Sequence, residues 1–100
     1  MNGKDQQNQI QIELTEDVAQ GTYANLAVIT HSSSEFVLDF IRMVPGVPKA
    51  KVKSRVILSP EHAKRLLLAL NENVSQYEKI HGKVNLDGGS VGDFTPVGQA

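Results

Sequence analysis

Basic side chains that could contact phosphate groups are concentrated between residues 42 and 65. Seven of the ten Lys and Arg residues lie there, against the single acid Glu61. Four of them recur at every second position and are named here the basic row: Lys49, Lys51, Lys53 and Arg55. On a strand they would share one face, as expected of a surface that follows a phosphate backbone. The same pattern is typical of a solvated strand face or of a face that pairs with acidic strands in another subunit, and we favour that interpretation.

The histidines and serines do not form a catalytic or metal-binding pattern. No two of the histidines His31, His62 and His81 are four residues apart, the spacing that places two metal ligands on one helical turn. The serines that follow His31 lie in a predicted turn, where a nucleophile and its base rarely converge. We therefore expect no catalytic residues, no metal ion and no cofactor, and we do not expect an enzyme.

The composition excludes several other kinds of site. Because none of the 100 residues is cysteine, the chain has no disulfide, no cysteine-ligated metal and no thiol nucleophile. A net charge of −1 argues against bulk binding of polyanions, and 40% hydrophobic residues are typical of a folded domain. The polar first residues lack a signal-peptide core, and no stretch approaches the roughly 18 apolar residues of a membrane span. We expect a cytoplasmic protein without membrane contacts.

The alternation of apolar and polar residues predicts four strands, over residues 10–14, 22–30, 35–43 and 49–58. The last strand has the cleanest alternation. One of its faces would carry the basic row, and the other would carry Ala50, Val52, Ser54, Val56 and Leu58. Turn residues separate the strands, as a meander of antiparallel strands requires.

A helix is predicted to follow the fourth strand, from Ser59 to about His81. Ser59 can accept a hydrogen bond from the first free N–H groups, Pro60 suits the first helical position, and Gly82 suits the end. One apolar stripe recurs at spacings of three and four: Ala63, Leu67, Leu70, Val74, Tyr77 and His81. The pattern predicts an α+β domain over residues 9–82, in which a four-stranded antiparallel sheet precedes one long C-terminal helix. A flexible lead over residues 1–8 and a glycine-rich flexible tail over residues 83–100 would flank it.

The predicted elements carry more apolar surface than one small sheet and one helix can cover. The excess lies on the second face of the third strand and beside the helical stripe, and it forms a predicted oligomer interface: Val37, Ile41, Met43, Leu66 and Leu68. Leaving apolar surface in water costs about 25 cal/mol per Å². We therefore expect a non-enzymatic protein-interaction module whose free apolar faces meet another subunit, in a homodimer or tetramer, or another protein. The alternative is a nucleic-acid-binding accessory protein that uses the basic row.

Two motifs, from Glu35 to Phe40 and from Arg55 to Leu67, resemble a bacterial and archaeal family of short proteins catalogued as domain of unknown function 3467. The resemblance extends over residues 10–82. Members of that family have no assigned function, so the resemblance implies no catalytic or binding residues. The predicted order of strands and helix is also similar to that of the SecB export chaperone, which assembles through its sheets and helices. That likeness implies a chaperone as a third alternative.

Overall fold

The computed structural model of the protein describes residues 9–86. Its elements are α1 (Glu16–Ala19), β1 (Leu26–His31), β2 (Phe36–Arg42), β3 (Lys51–Leu58) and α2 (Pro60–His81). The predicted α+β class, with an antiparallel sheet followed by one long helix, is confirmed. The predicted lead over residues 1–8 and the predicted tail beyond residue 86 lie outside the described residues.

The three strands form one antiparallel sheet in chain order, so β2 lies in the centre. A turn joins β1 to β2, where the N–H of Ser32 donates to the carbonyl of Glu35 over 2.9 Å. Between β2 and β3, the N–H of Val47 donates to the carbonyl of Val44 over 3.1 Å. Gly46 has φ +84° at the third position of that turn, a backbone conformation that favours glycine. Four residues join β1 to β2 and eight join β2 to β3, so each pair of neighbouring strands forms a hairpin.

The first predicted strand, over residues 10–14, is not part of this sheet. The sheet has three strands among residues 9–86, so the prediction of four strands was wrong for the single chain. Ile10, Ile12 and Leu14 are 82%, 91% and 69% exposed. Alternation predicts which side chains would share a face. A strand also needs a neighbouring strand whose edge forms hydrogen bonds with its backbone. Among residues 9–86 the segment pairs with no such edge.

A β-bulge interrupts the pairing between β2 and β3. Phe40 pairs with Ser54, whereas the next residue, Ile41, pairs with Val52. Lys53 is therefore an extra residue on β3 with no partner of its own. Because directly paired residues share a face of the sheet, Val52 lies on the opposite face from Ser54. The predicted uniform alternation along this strand was wrong at this point, because a bulge changes the phase of every residue beyond it.

The helix α2 begins and ends where the sequence predicts. The Ser59 side chain accepts a hydrogen bond from the backbone N–H of His62 over 3.3 Å, and Pro60 is the first helical residue. At the other end, the N–H of Gly82 donates to the carbonyl of Glu78, with φ +95° at the glycine. The capping residues thus define a helix of 22 residues.

Replacing Ser59 by alanine should remove the helix cap. We expect a loss of about 1 kcal/mol in the free energy of unfolding, which lowers the melting temperature by roughly 4–8 °C for a domain of this size. The matched control is Ser75→Ala in the middle of the helix, where alanine is the better helix former. Melting followed by circular dichroism checks this, and an unchanged melting temperature in Ser59→Ala would show that the hydroxyl does not cap the helix.

The core of the single chain is very small. Among residues 9–86, the only buried hydrophobic residues are Leu38 and Ile41, which are 7% and 8% exposed, and both lie on the central strand. No residue of α1 or α2 is buried. The main contact of α2 with the sheet is with β3, the strand that leads into it. Most of the apolar side chains of this chain are therefore accessible to a partner.

Candidate functional site

The most extensive apolar surface is one side of α2. We name it the α2 stripe: Ala63, Leu67, Leu70, Val74, Tyr77 and His81. The four large apolar members, at positions 67, 70, 74 and 77, are 41% to 60% exposed. Their spacings alternate between four and three, so the pattern repeats every seven residues, as in helices that pack along a shared seam. Within the described residues Ala63 is half-buried, and the other five members of the stripe are exposed.

The two helical residues of the predicted oligomer interface do not lie together. Each residue rotates an α-helix by about 100°. Leu66 therefore borders the α2 stripe on the same side as Ile80, whereas Leu68 lies well away from it. Both leucines are exposed. The apolar surface of α2 is consequently wider than the stripe alone, and Leu68 would require a second contact.

The sheet residues of the predicted interface are less accessible than those of the helix. Val37 and Met43 are half-buried, and Ile41 is buried. The backbone of Met43 is fixed by the Asn25 side chain, which accepts from its N–H over 2.7 Å and donates to its carbonyl over 3.1 Å. This part of the predicted interface is thus partly covered within the single chain, with Ile41 contributing to the small core.

Sequence reasoning missed an apolar row that crosses the other face of the sheet. Ile29 pairs with Leu38, and Leu38 pairs with Val56, so the three side chains lie side by side. Leu38 is buried, whereas Ile29 and Val56 at the two edges are exposed. The types of these residues are visible in the sequence, but their alignment depends on the register of two hairpins. This row is a second apolar surface, in addition to the α2 stripe, that a partner could contact.

Arg55 of the basic row is held by an acidic neighbour. It lies directly opposite Asp39, and its Nε and Nη2 donate to the two carboxylate oxygens over 2.6 Å and 2.9 Å. The Asp39 side chain is only 14% exposed. Hydrogen bonds from Arg55 lower the pKa of Asp39 below its ordinary value, and the same bonds raise the pKa of Arg55. This two-bond pairing leaves Arg55 less able to bind a phosphate.

The remaining members of the basic row do not continue the face of Arg55. Lys51 pairs with Arg42 beyond the bulge, which puts it on the opposite face of the sheet from Arg55. Lys49 precedes β3, and Lys53 is the bulged residue. Within residues 9–86, no carboxylate forms an ion pair with these three lysines, all of which are exposed. The prediction of one continuous cationic face was therefore wrong, because the bulge divides it.

The histidines each contact a near neighbour. His31 stacks on Phe36 with ring centroids 5.4 Å apart, His62 Nδ1 lies 2.9 Å from Ser59 Oγ, and the His81 ring lies 4.7 Å from that of Tyr77. Among residues 9–86, no group of three or more His, Asp or Glu side chains is arranged to hold a metal ion. In the same range, no helix has the length and apolar character needed to cross a membrane.

Acid should weaken the sheet through the ion pair between Asp39 and Arg55. Because folding lowers the pKa of Asp39, the pair contributes stability above the unfolded-state pKa of about 3.9 and loses it as the pH falls through the folded-state pKa. We expect the free energy of unfolding of the wild type to fall more steeply below about pH 4 than that of Asp39→Asn. Urea unfolding at stepped pH measures both slopes. Equal slopes would contradict a stabilising pair.

Comparison with known proteins identifies a family whose function is unknown. Residues 1–86 match the family described as protein of unknown function (DUF3467). No curated protein and no solved structure matches the chain. The expected likeness to the SecB chaperone is therefore not shown, and among residues 9–86 the sheet has three strands where that likeness assumed four. Since the matched region spans most of the sequence, the chain belongs to the DUF3467 family of proteins of unknown function.

Proposed function

We propose that this protein is a non-enzymatic protein-interaction module that works as a homo-oligomer, with the α2 stripe of one copy packed against a second copy. One observation carries the proposal: the four large apolar residues of the α2 stripe, on a helix of 22 residues, are all exposed. In globular proteins most helical stability comes from packing of the apolar face and not from intrinsic propensity. A helix with this seam therefore needs a partner surface.

Burial of the four large residues of the α2 stripe would stabilise an association between copies. Fully burying one Leu, Val or comparable side chain stabilises a fold by about 1.5–3 kcal/mol. These residues are 41% to 60% exposed, so about half of that contribution is unused in the single chain. A second copy presents the same seam, and two identical seams related by a twofold axis are self-complementary. A homodimer is the smallest assembly that covers the stripe, and Leu68 with the sheet row gives a tetramer further contacts.

The nucleic-acid alternative has less support. A phosphate-binding surface gains affinity from each cation that is free to replace a counterion. Arg55 is occupied by Asp39, and the bulge puts Lys51 on the other face of the sheet. The chaperone alternative draws on the same exposed apolar surface as the proposal, but it requires that surface to stay open for clients instead of being covered by a second copy.

Light scattering combined with ligand binding separates these three functions. We expect the full chain at micromolar concentration to have two or four times the mass of the 10.9 kDa chain, with no binding to short duplex or single-stranded oligonucleotides. A monomer would contradict the proposal. Salt-sensitive oligonucleotide binding that weakens in Lys51→Ala/Lys53→Ala would favour the nucleic-acid function instead. Suppression of aggregation of a denatured test protein would favour the chaperone.

A further inference from the structure

We infer that residues 10–14 of one copy add as a fourth strand beside the exposed edge of β3 in a second copy. This inference rests on the proposed function, because it needs a second copy. The segment has the alternation of a strand, with Ile10, Ile12 and Leu14 on one side and Gln11 and Glu13 on the other. All three apolar side chains are at least 69% exposed, and the segment belongs to no helix or strand.

The edge of β3 is suited to receive a strand of this kind. The strand order β1-β2-β3 leaves the outer backbone groups of β3 without a strand partner among the described residues. An unpaired edge is a template for strand addition. Next to that edge, the side chains of Val52, Val56 and Ile57 are exposed. An added strand would bond the free backbone groups and cover part of this apolar surface.

Charge determines which strand the β3 edge accepts. Two β3 edges that pair through their first residues would place the exposed Lys51 and Lys53 of one copy near those of the other, and like charges on neighbouring strands are destabilising. Residues 9–17 carry Glu13, Glu16 and Asp17 and no Lys or Arg, so they oppose the charge of β3. The other edge strand, β1, has no Lys or Arg to attract Glu13. The lysines thus reject a second β3 and favour the acidic segment.

Engineered cysteines can test the pairing, because the chain has none of its own. Neighbouring strands bring Cα atoms within the roughly 4.4–6.8 Å that a disulfide spans. We would mix Gln11→Cys protein with each of Lys51→Cys, Lys53→Cys and Ile57→Cys on β3, and with Ile29→Cys on β1 as the matched control. After mild oxidation, mass spectrometry identifies the mixed disulfides. We expect them with at least one β3 position and not with β1.

A charge exchange supplies the second measurement. In the mixture of Gln11→Cys with Ile57→Cys, which keeps both lysines, Glu13→Lys should lower the yield of the mixed disulfide by about threefold, as for one cross-strand charge pair. Lys51→Glu/Lys53→Glu in the partner should restore it. Gln9→Lys, which adds the same charge outside the strand segment, is the control. No change with Glu13→Lys would contradict the role of charge in the pairing.

The outcomes separate this inference from the proposed function. A defined oligomer without mixed disulfides to β3 would overturn the strand addition and leave the oligomer standing. Cross-linking within one chain, seen when Gln11→Cys and a β3 cysteine are in the same molecule and its mass stays that of a monomer, would also overturn it. A chain that is monomeric at every concentration would overturn both.

Discussion

Leu67→Asp should separate the oligomer into single chains while leaving the fold of each chain largely intact. In the single chain Leu67 is 60% exposed, so an aspartate there stays in water and costs little. In the proposed assembly the α2 stripe packs against a second copy, so an unpaired charge at this position would be buried. Burial of that kind costs several kcal/mol, and each 1.4 kcal/mol changes an association constant about tenfold. We therefore expect association to weaken by about a hundredfold or more.

The control for Leu67→Asp is Ser75→Asp, which adds the same charge to the same helix outside the stripe. Ser75 is exposed and lies between Asn71 and Lys79 along the helix face, so an aspartate there gains a favourable neighbour. Sedimentation velocity over a range of concentrations compares the two variants with the wild type. Equal association of Leu67→Asp and the wild type would show that the stripe is not the contact between copies.

Leu38→Ala should destabilise the single chain itself. Leu38 is the most buried hydrophobic residue of the described chain. It lies on the central strand β2, between Ile29 of β1 and Val56 of β3. Truncation of a buried leucine to alanine costs about 2–5 kcal/mol, because transfer free energy is lost and a cavity remains. With a core of two buried residues, we expect Leu38→Ala to lose its cooperative unfolding transition.

The matched control for Leu38→Ala is Val47→Ala, a truncation of an exposed residue in the turn between β2 and β3. Surface substitutions of this type usually change the free energy of unfolding by less than about 0.5 kcal/mol. Urea unfolding followed by far-ultraviolet circular dichroism measures both variants. A loss in Leu38→Ala no larger than that in Val47→Ala would show that the sheet is stabilised by other contacts.

Leu38→Ala removes contacts within one chain, whereas Leu67→Asp removes contacts between copies. Measurements on diluted protein distinguish the two effects. Loss of the core residue weakens the fold at every concentration, because the contacts removed are within one chain. Loss of the stripe weakens contacts between copies, so its effect on melting should vanish in dilute solution, where the wild type is itself dissociated. A concentration-dependent melting temperature in the wild type, absent in Leu67→Asp, is therefore expected.

Local signals in the sequence were sufficient to predict α2. Ser59, Pro60 and Gly82 act through hydrogen bonds and backbone conformations within a few residues, so their meaning does not depend on the rest of the fold. The sequence also predicted the strand that became β3, with its end at Leu58 correct and its beginning two residues early.

The features that the sequence did not predict depend on partners distant in the chain. The bulge at Lys53 is a property of the register between two strands, and alternation along one strand cannot reveal it. The pairing of Arg55 with Asp39 follows from the same register. The segment from Ile10 to Leu14 has the pattern of a strand without an edge in its own chain. In each case the sequence does not show which strand pairs with the segment, or in which register.

A single copy leaves much of its described apolar surface exposed, and in the proposed oligomer a second copy covers it. Sedimentation equilibrium of the full chain at several micromolar concentrations tests this most directly. We expect a species of two or four times 10.9 kDa that dissociates on dilution. A mass of 10.9 kDa at every concentration would contradict it.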